Sequence, residues 1–435
     1  MNVDVILPSG TIIPSQIGNI EIIEDISSGG GGQGIVYRAR VKGRGKCALK
    51  LYNLEIDFSK MHKRINRLIE KKPDPCTFFA WPECLVEHDG RLGYVMEYVD
   101  GYKEIYELFD VEDETPVMLR LKICINICRA FRQLHEAGYS YKDINHGNIL
   151  FSPNADVKII DNDNISPNNK DEIGIFTLDY VAPELVDDKK NMPNQKTDLH
   201  SLAVLLFRCL FKSHPLKGKR FLEVSQEEEK SLYSSKNVCF IFKDKDNLDR
   251  YIDPDLPGGR DLWINYPEEL REMFYKTFVD YVTSPNERFE ADDWIKALIK
   301  ARNSFVYYKC SCEYEDAFFC SEDIDKFECM ECNKIIPMPI LHIADNKGCI
   351  KSRIYLYDER EVCLYDIDPD PYDVYGDLLQ PLFKIHANSH FVNIEICQND
   401  MVRYNKHLLK QGEKLNVEDG TFIDVCEHTC VITVA

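Results

Sequence analysis

Two carboxylates and an amide in the middle of the chain are spaced as a metal-assisted reaction on a phosphate requires. Asp143 and Asn148 lie five residues apart in the stretch Tyr141–Leu150, and Asp161 directly follows the apolar run Val157–Ile160. Carboxylate and amide oxygens suit Mg²⁺, and a further carboxylate can accept or orient the proton of a hydroxyl group. We therefore predict that Asn148 and Asp161 bind Mg²⁺ and that Asp143 is catalytic, although any single Asp in a loop is more often a turn residue.

Two features nearer the amino terminus could bind the phosphates of a nucleotide. A glycine-rich stretch follows the strand predicted over Glu21–Ile26, and glycines without Cβ allow backbone amides to approach phosphate oxygens closely. The residues assigned to this stretch are Gly29, Gly31, Gly34 and Val36. Lys50 ends the apolar segment Cys47–Lys50 and is predicted to contact the same phosphates. Taken alone, the glycines fit an ordinary hairpin, and Lys50 fits an edge strand.

Helices and strands that would position these residues alternate before the cysteine-rich segment. Helical patterns cover Phe58–Glu70 and Met118–Leu134, and the second pattern leads into the stretch that holds Asp143. As a set, the glycines, the lysine, the two aspartates and the asparagine resemble the eukaryotic-like Ser/Thr protein kinase family over roughly residues 15–303. The resemblance implies an α+β, bilobal kinase fold, with an N-lobe at 1–97 and a C-lobe at 98–304. It also implies ATP and Mg²⁺ as cofactors and transfer of the γ-phosphate to protein hydroxyl groups.

The same resemblance assigns roles to residues outside the catalytic loop. These are Met96 as gatekeeper and Glu97 as a nucleotide contact in the hinge, Thr177 in the substrate pocket, Asp198 beneath the catalytic loop, and the structural pair of Glu184 with Arg288. Glu70, 20 residues after Lys50, is the candidate to pair with that lysine. A solvated carboxylate at a helix end is the alternative, and Glu55 is a less favoured substitute.

Three positions depart from the family pattern. Lys142 stands where Arg is usual, Asn145 stands where a phosphate-binding lysine is usual, and Asp161–Asp163 reads Asp-Asn-Asp in place of Asp-Phe-Gly. Lys50, Asp143, Asn148 and Asp161 are all retained. We therefore favour an active enzyme over a catalytically weak pseudokinase that acts as a nucleotide-binding scaffold. Asn145 is also compatible with a kinase that acts on small molecules, whereas Ala182–Glu184 with Thr177 favours a peptide substrate.

A closer resemblance is to the bacterial kinases of tellurium-resistance-type triads, in which a kinase accompanies a type 2C phosphatase and a von Willebrand A protein. The matching stretches, between about Leu7 and Ile340, are Gly31–Tyr37, Trp81–Pro82, Tyr141–Ile144, Asp161–Asn164, Thr197–Phe207 and His214–Gly218. Under this resemblance the unusual Asn145 and Asn162 are traits of a subfamily. It implies a bacterial stress-type signalling role, with a von Willebrand A protein and a type 2C protein phosphatase as partners.

Five of the 17 cysteines fall within Cys310–Cys332. Two pairs separated by 16 residues suit one tetrahedral Zn²⁺ on a ribbon-like hairpin, and they are Cys310 with Cys312 and Cys329 with Cys332. We therefore predict a structural zinc ribbon at residues 305–340. Cys320 could replace Cys310 or Cys312, an iron–sulfur cluster is a lesser alternative, and buried or merely tolerated thiols would need no metal.

Residues 341–435 are predicted to form a β-rich, sandwich-like domain. Its predicted strands are Arg353–Tyr357, Glu361–Asp366, Phe391–Cys397, Thr421–Cys426 and Val431–Val434. The late strands weakly resemble forkhead-associated domains, but their phosphothreonine-binding signature is absent from the sequence. A plain interaction or lid domain is therefore the favoured interpretation.

The composition limits partners and compartment. A formal charge of −20 disfavours nucleic acid and anionic membranes, since a field of that sign repels phosphate. The sequence has no run of about 18 apolar residues and no signal-peptide pattern at its start. We expect a cytoplasmic protein with reduced thiols.

Overall fold

The structure is a computed structural model that describes residues 6–27, 33–74, 76–168, 176–253, 258–320, 324–344, 348–369, 379–387, 392–426 and 428–434. A sheet-based N-terminal lobe is followed by a helical second lobe, two short hairpins and a β-sandwich. Within these ranges, no helix combines the length and the apolar character that crossing a membrane requires.

The N-terminal lobe is an antiparallel sheet with one helix packed against it. Its strands, in the spatial order β1-β2-β3-β4-β6-β5, are β1 (Ile12–Ile13), β2 (Ile20–Asp25), β3 (Gly34–Val41), β4 (Gly45–Tyr52), β5 (Cys84–His88) and β6 (Arg91–Glu97). Helix α1 (Phe58–Glu70) has the predicted bounds, because the Asp57 carboxylate caps it by accepting the Lys60 amide at 3.0 Å. Its buried Ile65 and Leu68 face the sheet side of the lobe. Strand β4 is paired on both edges, which fixes the position of Lys50.

The second lobe is mainly helical. Its helices are α2 (Val117–Glu136), α3 (Pro183–Asp187), α4 (Gln195–Phe211), α5 (Lys219–Leu222), α6 (Gln226–Glu229), α7 (Gly258–Asn265), α8 (Glu268–Tyr275) and α9 (Ala291–Ser304). Its short strands are β7 (Lys103–Glu104), β8 (Tyr139–Ser140), β9 (Ile149–Phe151), β10 (Val157–Ile159) and β11 (Ser166–Pro167). Helices α2 and α4 bury most of their apolar side chains in the same core, to which α9 also contributes.

The described part of the polar stretch from about Ser225 to Gly259 contributes to the core. Phe240 and Phe242 within it are buried. The Phe240 ring lies 5.6 Å from Phe207 of α4, and the Phe242 ring stacks on Trp263 at 4.6 Å between centroids. Two aromatic side chains thus anchor a stretch whose overall composition predicts solvent exposure.

Two hairpins follow α9. They are β12 (Phe305–Lys309) with β13 (Glu315–Phe319), and β14 (Lys326–Glu328) with β15 (Ile335–Pro337). Val306, Tyr308 and Phe327 form a small core with Ile340 and Tyr355 of the next domain. The hairpins therefore depend on neighbouring strands for part of their packing.

The described residues from Ile340 onward form two sheets around a shared core, with one short helix. The strands are β16 (Ile340–Ala344), β17 (Ile350–Tyr355), β18 (Glu361–Cys363), β19 (Pro381–Ala387), β20 (Val392–Ile396), β21 (Val402–Tyr404), β22 (His407–Leu408), β23 (Lys414–Val417), β24 (Thr421–Val425) and β25 (His428–Thr433). One sheet has the order β17-β16-β25-β24-β21-β22 and the other β18-β19-β20-β23. The predicted strand Glu361–Asp366 needs correction: it stops at Cys363, and a short helix α10 (Leu364–Ile367) follows. The Asp366 carboxylate caps that helix by accepting the Cys363 amide at 2.9 Å.

Helix α10 fastens this β-rich domain to the second lobe. Tyr365 is fully buried there, and its hydroxyl accepts a hydrogen bond from Arg132 of α2 at 3.2 Å. Asp366 forms a buried ion pair with Arg302 of α9 at 2.7 Å. The domain is thus packed on the helical lobe through charged as well as apolar contacts.

Candidate active site

The loop between β8 and β9 is held from below by one aspartate of α4. Asp198 is buried, and its carboxylate accepts the backbone amides of Tyr141 at 2.7 Å and Lys142 at 2.8 Å. Lys142 has φ 76°, a left-handed conformation that costs an L-residue about 1 kcal/mol. Such a conformation persists only where surrounding contacts determine it, and the Asp198 carboxylate provides two of them. The structure therefore brings Asp198 to the place that the resemblance implies.

Asp143 lies in this loop, and its carboxylate is held by the segment that contains Thr177 and precedes α3, here called the substrate-side segment. Its Oδ1 accepts both the amide and the hydroxyl of Thr177 at 2.9 Å. Burial raises the pKa of Asp143, while the hydrogen bonds from Thr177 act in the opposite direction. A partly desolvated carboxylate beside the substrate-side segment can orient a hydroxyl group and accept its proton.

Asn148 and Asp161 are neighbours across the β9–β10 hairpin. The Ile160 amide donates to the Asn148 carbonyl at 2.9 Å, so Asp161 follows directly beside Asn148. The Asn148 Nδ2 donates to the Asp143 carbonyl at 3.0 Å, which leaves the amide oxygen as the end available for a metal. Burial and the neighbouring Asp163 raise the pKa of Asp161 to about 6, but 37% of its side chain stays exposed. One amide oxygen and one accessible carboxylate are a donor set that fits Mg²⁺.

Lys50 extends from β4 into a cluster of acids. Its Nζ forms ion pairs with Asp161 and, at 2.9 Å, with Asp163 Oδ2. Tyr52, two residues further along the strand, donates its hydroxyl to the same carboxylate of Asp163. Burial disfavours the ammonium, but Asp163 and Asp161 outweigh this effect and raise the pKa of Lys50. The lysine is therefore charged and fixed in place.

Glu70 does not join this cluster, and its assignment to the site is corrected. Its exposed carboxylate accepts a hydrogen bond from Asn66, one turn earlier in α1, at 2.6 Å. Among the described residues, the carboxylates that contact Lys50 are Asp161 and Asp163. No role for Asp163 or Tyr52 in binding Lys50 was predicted from the sequence. The unusual acid in place of glycine at Asp163 was the available signal.

The glycine stretch is only partly described. The assignments of Gly29 and Gly31 lie outside the described residues. Gly34 begins β3 opposite Tyr52, and a Cβ on it would lie 2.3 Å from the Leu51 carbonyl oxygen, so only glycine fits there. Val36 pairs with Lys50 in the same ladder, next to the lysine.

Two further predicted positions make other contacts. Glu97, at the end of β6, pairs with Lys158 at 2.6 Å, which places that lysine at the hinge side of the site. Asn145 is buried: its side chain accepts the Gly147 amide at 2.8 Å and donates to the Asp143 carbonyl at 3.0 Å. Asn145 thus shapes the catalytic loop.

The structural pair implied by the resemblance is present. Arg288 donates to both carboxylate oxygens of Glu184 at 2.7 Å and to the Lys196 carbonyl at 2.7 Å. This bidentate pair holds α3 against the start of α4, beneath the substrate-side segment.

The four cysteines of the predicted zinc ribbon converge at the tips of the two hairpins. All four sulfur atoms lie within 4.8 Å of one another, and Cys310–Cys332 and Cys312–Cys329 are each 3.6 Å apart. The Cys312 amide and the adjacent thiols lower the pKa of Cys310 to about 6 against the opposing effect of desolvation. Cys320 lies outside this group, where its sulfur accepts the Tyr355 hydroxyl at 3.2 Å. A compact set of four thiols fits a closed tetrahedral metal site.

Comparison with known proteins agrees with this geometry. The family model of the protein kinase domain matches residues 23–256, more than half of the 435 residues. Aurora kinase of Schizosaccharomyces pombe is 28% identical over 205 residues, which cover 46% of this chain and 57% of that protein. Protein kinase C delta type of Homo sapiens is 26% identical over 202 residues, covering 44% and 29%, and protein kinase C-like 1 of Saccharomyces cerevisiae is 23% identical over 212 residues, covering 46% and 18%. The matches thus span only part of each relative. Because the family model covers most of both lobes, the chain belongs to the protein kinase family.

Proposed function

We propose that the protein transfers the γ-phosphate of ATP to Ser or Thr hydroxyl groups of protein substrates. The observation that carries this proposal is one connected network in which Lys50 contacts Asp161, Asp161 adjoins Asn148, and Asn148 bonds to the backbone of Asp143. Thr177 completes the network at the position where a substrate hydroxyl would approach. The named relatives that are Ser/Thr-type kinases support the choice of hydroxyl acceptor.

In this proposal each residue has one task. Mg-ATP, when bound, supplies the phosphoryl group and the charge that its transfer requires. Asp161 and Asn148 would hold the metal, and Lys50 would hold the phosphates. Asp143 would orient the substrate hydroxyl and accept its proton, with Thr177 fixing the carboxylate. Glu184 and Arg288 keep the peptide platform rigid, which favours a protein substrate over a small molecule.

The wider setting is also a proposal. The motif resemblance to kinases of tellurium-resistance-type triads supports a cytoplasmic role in bacterial stress signalling, with a von Willebrand A protein and a type 2C protein phosphatase as partners. If the neighbouring genes encode neither of these proteins, this assignment of pathway fails.

The activity is tested with γ-labelled ATP, Mg²⁺ and the purified full chain, with itself, general protein substrates and proteins of neighbouring genes as acceptors. We expect phosphoserine or phosphothreonine in the product and loss of labelling in Asp143→Ala. Wild-type labelling no greater than that of Asp143→Ala would instead favour a nucleotide-binding scaffold.

We further propose that Cys310, Cys312, Cys329 and Cys332 hold one structural Zn²⁺. Four protein ligands leave no position for a substrate, so the ion would stabilise the two hairpins. The sulfur cluster supports the proposal, since four thiols this close would otherwise repel on ionisation. Elemental analysis should give one zinc per chain, and a fully folded protein free of metal would exclude it.

A further inference from the structure

The catalytic lysine needs a carboxylate that stays beside it while nucleotide is bound. Asp161 is a poor candidate for that task, because the proposed function requires it to bind the metal. Glu70 is exposed and bonded to Asn66. We propose that Asp163, which accepts the Tyr52 hydroxyl, is the residue that positions Lys50. It would take the pairing role that the resemblance assigns to Glu70 of α1. This inference rests on the proposed kinase function.

The two acids beside Lys50 differ in accessibility. The Asp161 side chain is 37% exposed, whereas that of Asp163 is 1% exposed. Asp163 Oδ2 already accepts hydrogen bonds from Lys50 and Tyr52, so it is committed to the lysine. The geometry thus separates a metal-facing acid from a lysine-facing acid.

Asp163 is held by the turn in which it lies. The Asn162 amide group donates to the carbonyls of Ala80 at 2.8 Å and Ile159 at 3.1 Å. On the other side, Arg64 of α1 donates to the Asn164 carbonyl at 2.7 Å. These bonds fix the turn Asn162–Asn164 from β10, from the segment before β5 and from α1. The side chain that α1 directs to this turn is therefore basic, which leaves the carboxylate to be supplied by the turn itself.

The charge of Asp163 is compatible with this role. The Lys50 ammonium and the Tyr52 hydroxyl both donate to Asp163 Oδ2, so a negative charge on this buried carboxylate is compensated where it lies. Ionised partners in a buried, hydrogen-bonded pair hold each other strongly, and removal of one leaves the other uncompensated.

Asp163→Asn and Tyr52→Phe test the inference, with Glu70→Gln as the matched control. Asp163→Asn keeps the shape and removes the charge, and we expect kcat/KM for ATP to fall about 10- to 100-fold, as the loss of a charge-assisted hydrogen bond implies. Tyr52→Phe keeps the ring and should cost about 3- to 10-fold. Glu70→Gln should stay within about twofold of wild type. A fluorescent ATP analogue measures nucleotide affinity independently of turnover, and circular dichroism verifies the fold.

Three results would overturn the inference. The first is folded Asp163→Asn with wild-type kcat/KM and nucleotide affinity. The second is a loss in Glu70→Gln as large as that in Asp163→Asn. The third is a shift of the Mg²⁺ requirement of Asp163→Asn equal to that of Asp161→Asn, since a positioning residue should leave that requirement unchanged. If Asp163→Asn does not fold, Tyr52→Phe decides, and an unaffected variant overturns the inference. If the wild type transfers no phosphate, the proposed function fails, and nucleotide affinity alone still tests Asp163.

Discussion

Replacing Asp366 should release the β-rich domain from the helical lobe. The Asp366 side chain is fully buried and accepts hydrogen bonds from Arg302 Nε at 2.7 Å and Nη2 at 3.2 Å. A second buried arginine, Arg360, approaches it at 3.5 Å. Asp366→Ala leaves two buried guanidinium groups without their carboxylate. The charge of an arginine cannot be relieved by loss of a proton, so the full penalty remains.

The expected cost follows from the burial. Removing one partner of a buried ion pair typically destabilises a protein by about 3–5 kcal/mol. Asp292→Ala is the matched control, because Asp292 pairs with Arg132 at the same 2.7 Å, but with the two side chains 33% and 27% exposed. That partly exposed pair should contribute about 1 kcal/mol or less. The two substitutions therefore compare equal contact distances at different burial.

Urea unfolding followed by the combined fluorescence of the three buried tryptophans, Trp81, Trp263 and Trp294, measures the difference. With slopes of about 1–3 kcal/mol per molar urea, the Asp366→Ala midpoint should fall by about 1 M or more. Limited proteolysis should also cleave this variant faster between α9 and the sandwich. Equal midpoints for Asp366→Ala and Asp292→Ala would refute the reasoning.

Three shorter predictions concern pH, phosphorylation and metal. His200 is fully buried, and among the described residues neither ring nitrogen has a hydrogen-bond partner; burial, then a nearby arginine, holds its pKa well below 6.5. Below about pH 6.5 the unfolded chain therefore binds a proton at His200 that the folded chain does not. The free energy of unfolding should fall there by about 1.4 kcal/mol per pH unit on account of this residue. Urea titrations at pH 5–7 should show that His200→Leu removes this part of the pH dependence. No Ser, Thr or Tyr lies between Ser166, which is buried, and Thr177, so phosphatase treatment verified by mass spectrometry should leave kinase activity unchanged; a drop would show a required phosphate. Cys332→Ser should lower both zinc content and thermal stability, whereas Cys320→Ser should keep one zinc per chain.

The spacing of residues along the chain was enough to predict which side chains lie close together where the site is built from local structure. Asp143, Asn148 and Asp161 lie on one loop and one hairpin, so the distances along the chain almost determine the distances in space. The bounds of α1 were equally predictable, because a capping aspartate and buried residues at helical spacing act locally. The same holds for the two cysteine pairs, each of which occupies the tip of one hairpin.

Glu70 shows where such reasoning ends. A residue at the end of a helix lies at the right distance along the chain, but the rotation of the helix against the sheet decides whether its side chain faces the lysine. That rotation follows from the packing of Ile65 and Leu68, which the sequence alone does not orient. Asp163 could not be predicted as the partner of Lys50 either. Its burial depends on contacts between the surrounding turn and segments that are distant in the sequence.

The position of the β-rich domain argues against a freely moving lid. Arg129 of α2 lies 5.4 Å from the ring of Phe78, in the segment before β5, and 5.4 Å from the ring of Tyr365. One side chain thus connects the N-terminal lobe, the helical lobe and the β-rich domain. The chain has an excess of acidic groups, which can stay solvated at its surface. Its arginines make the buried contacts at this junction, with aromatic rings in the case of Arg129 and with the Asp366 carboxylate in the case of Arg302. The β-rich domain therefore helps to support the two lobes. Its removal should loosen the segment before β5, where the Ala80 carbonyl accepts the Asn162 side-chain amide.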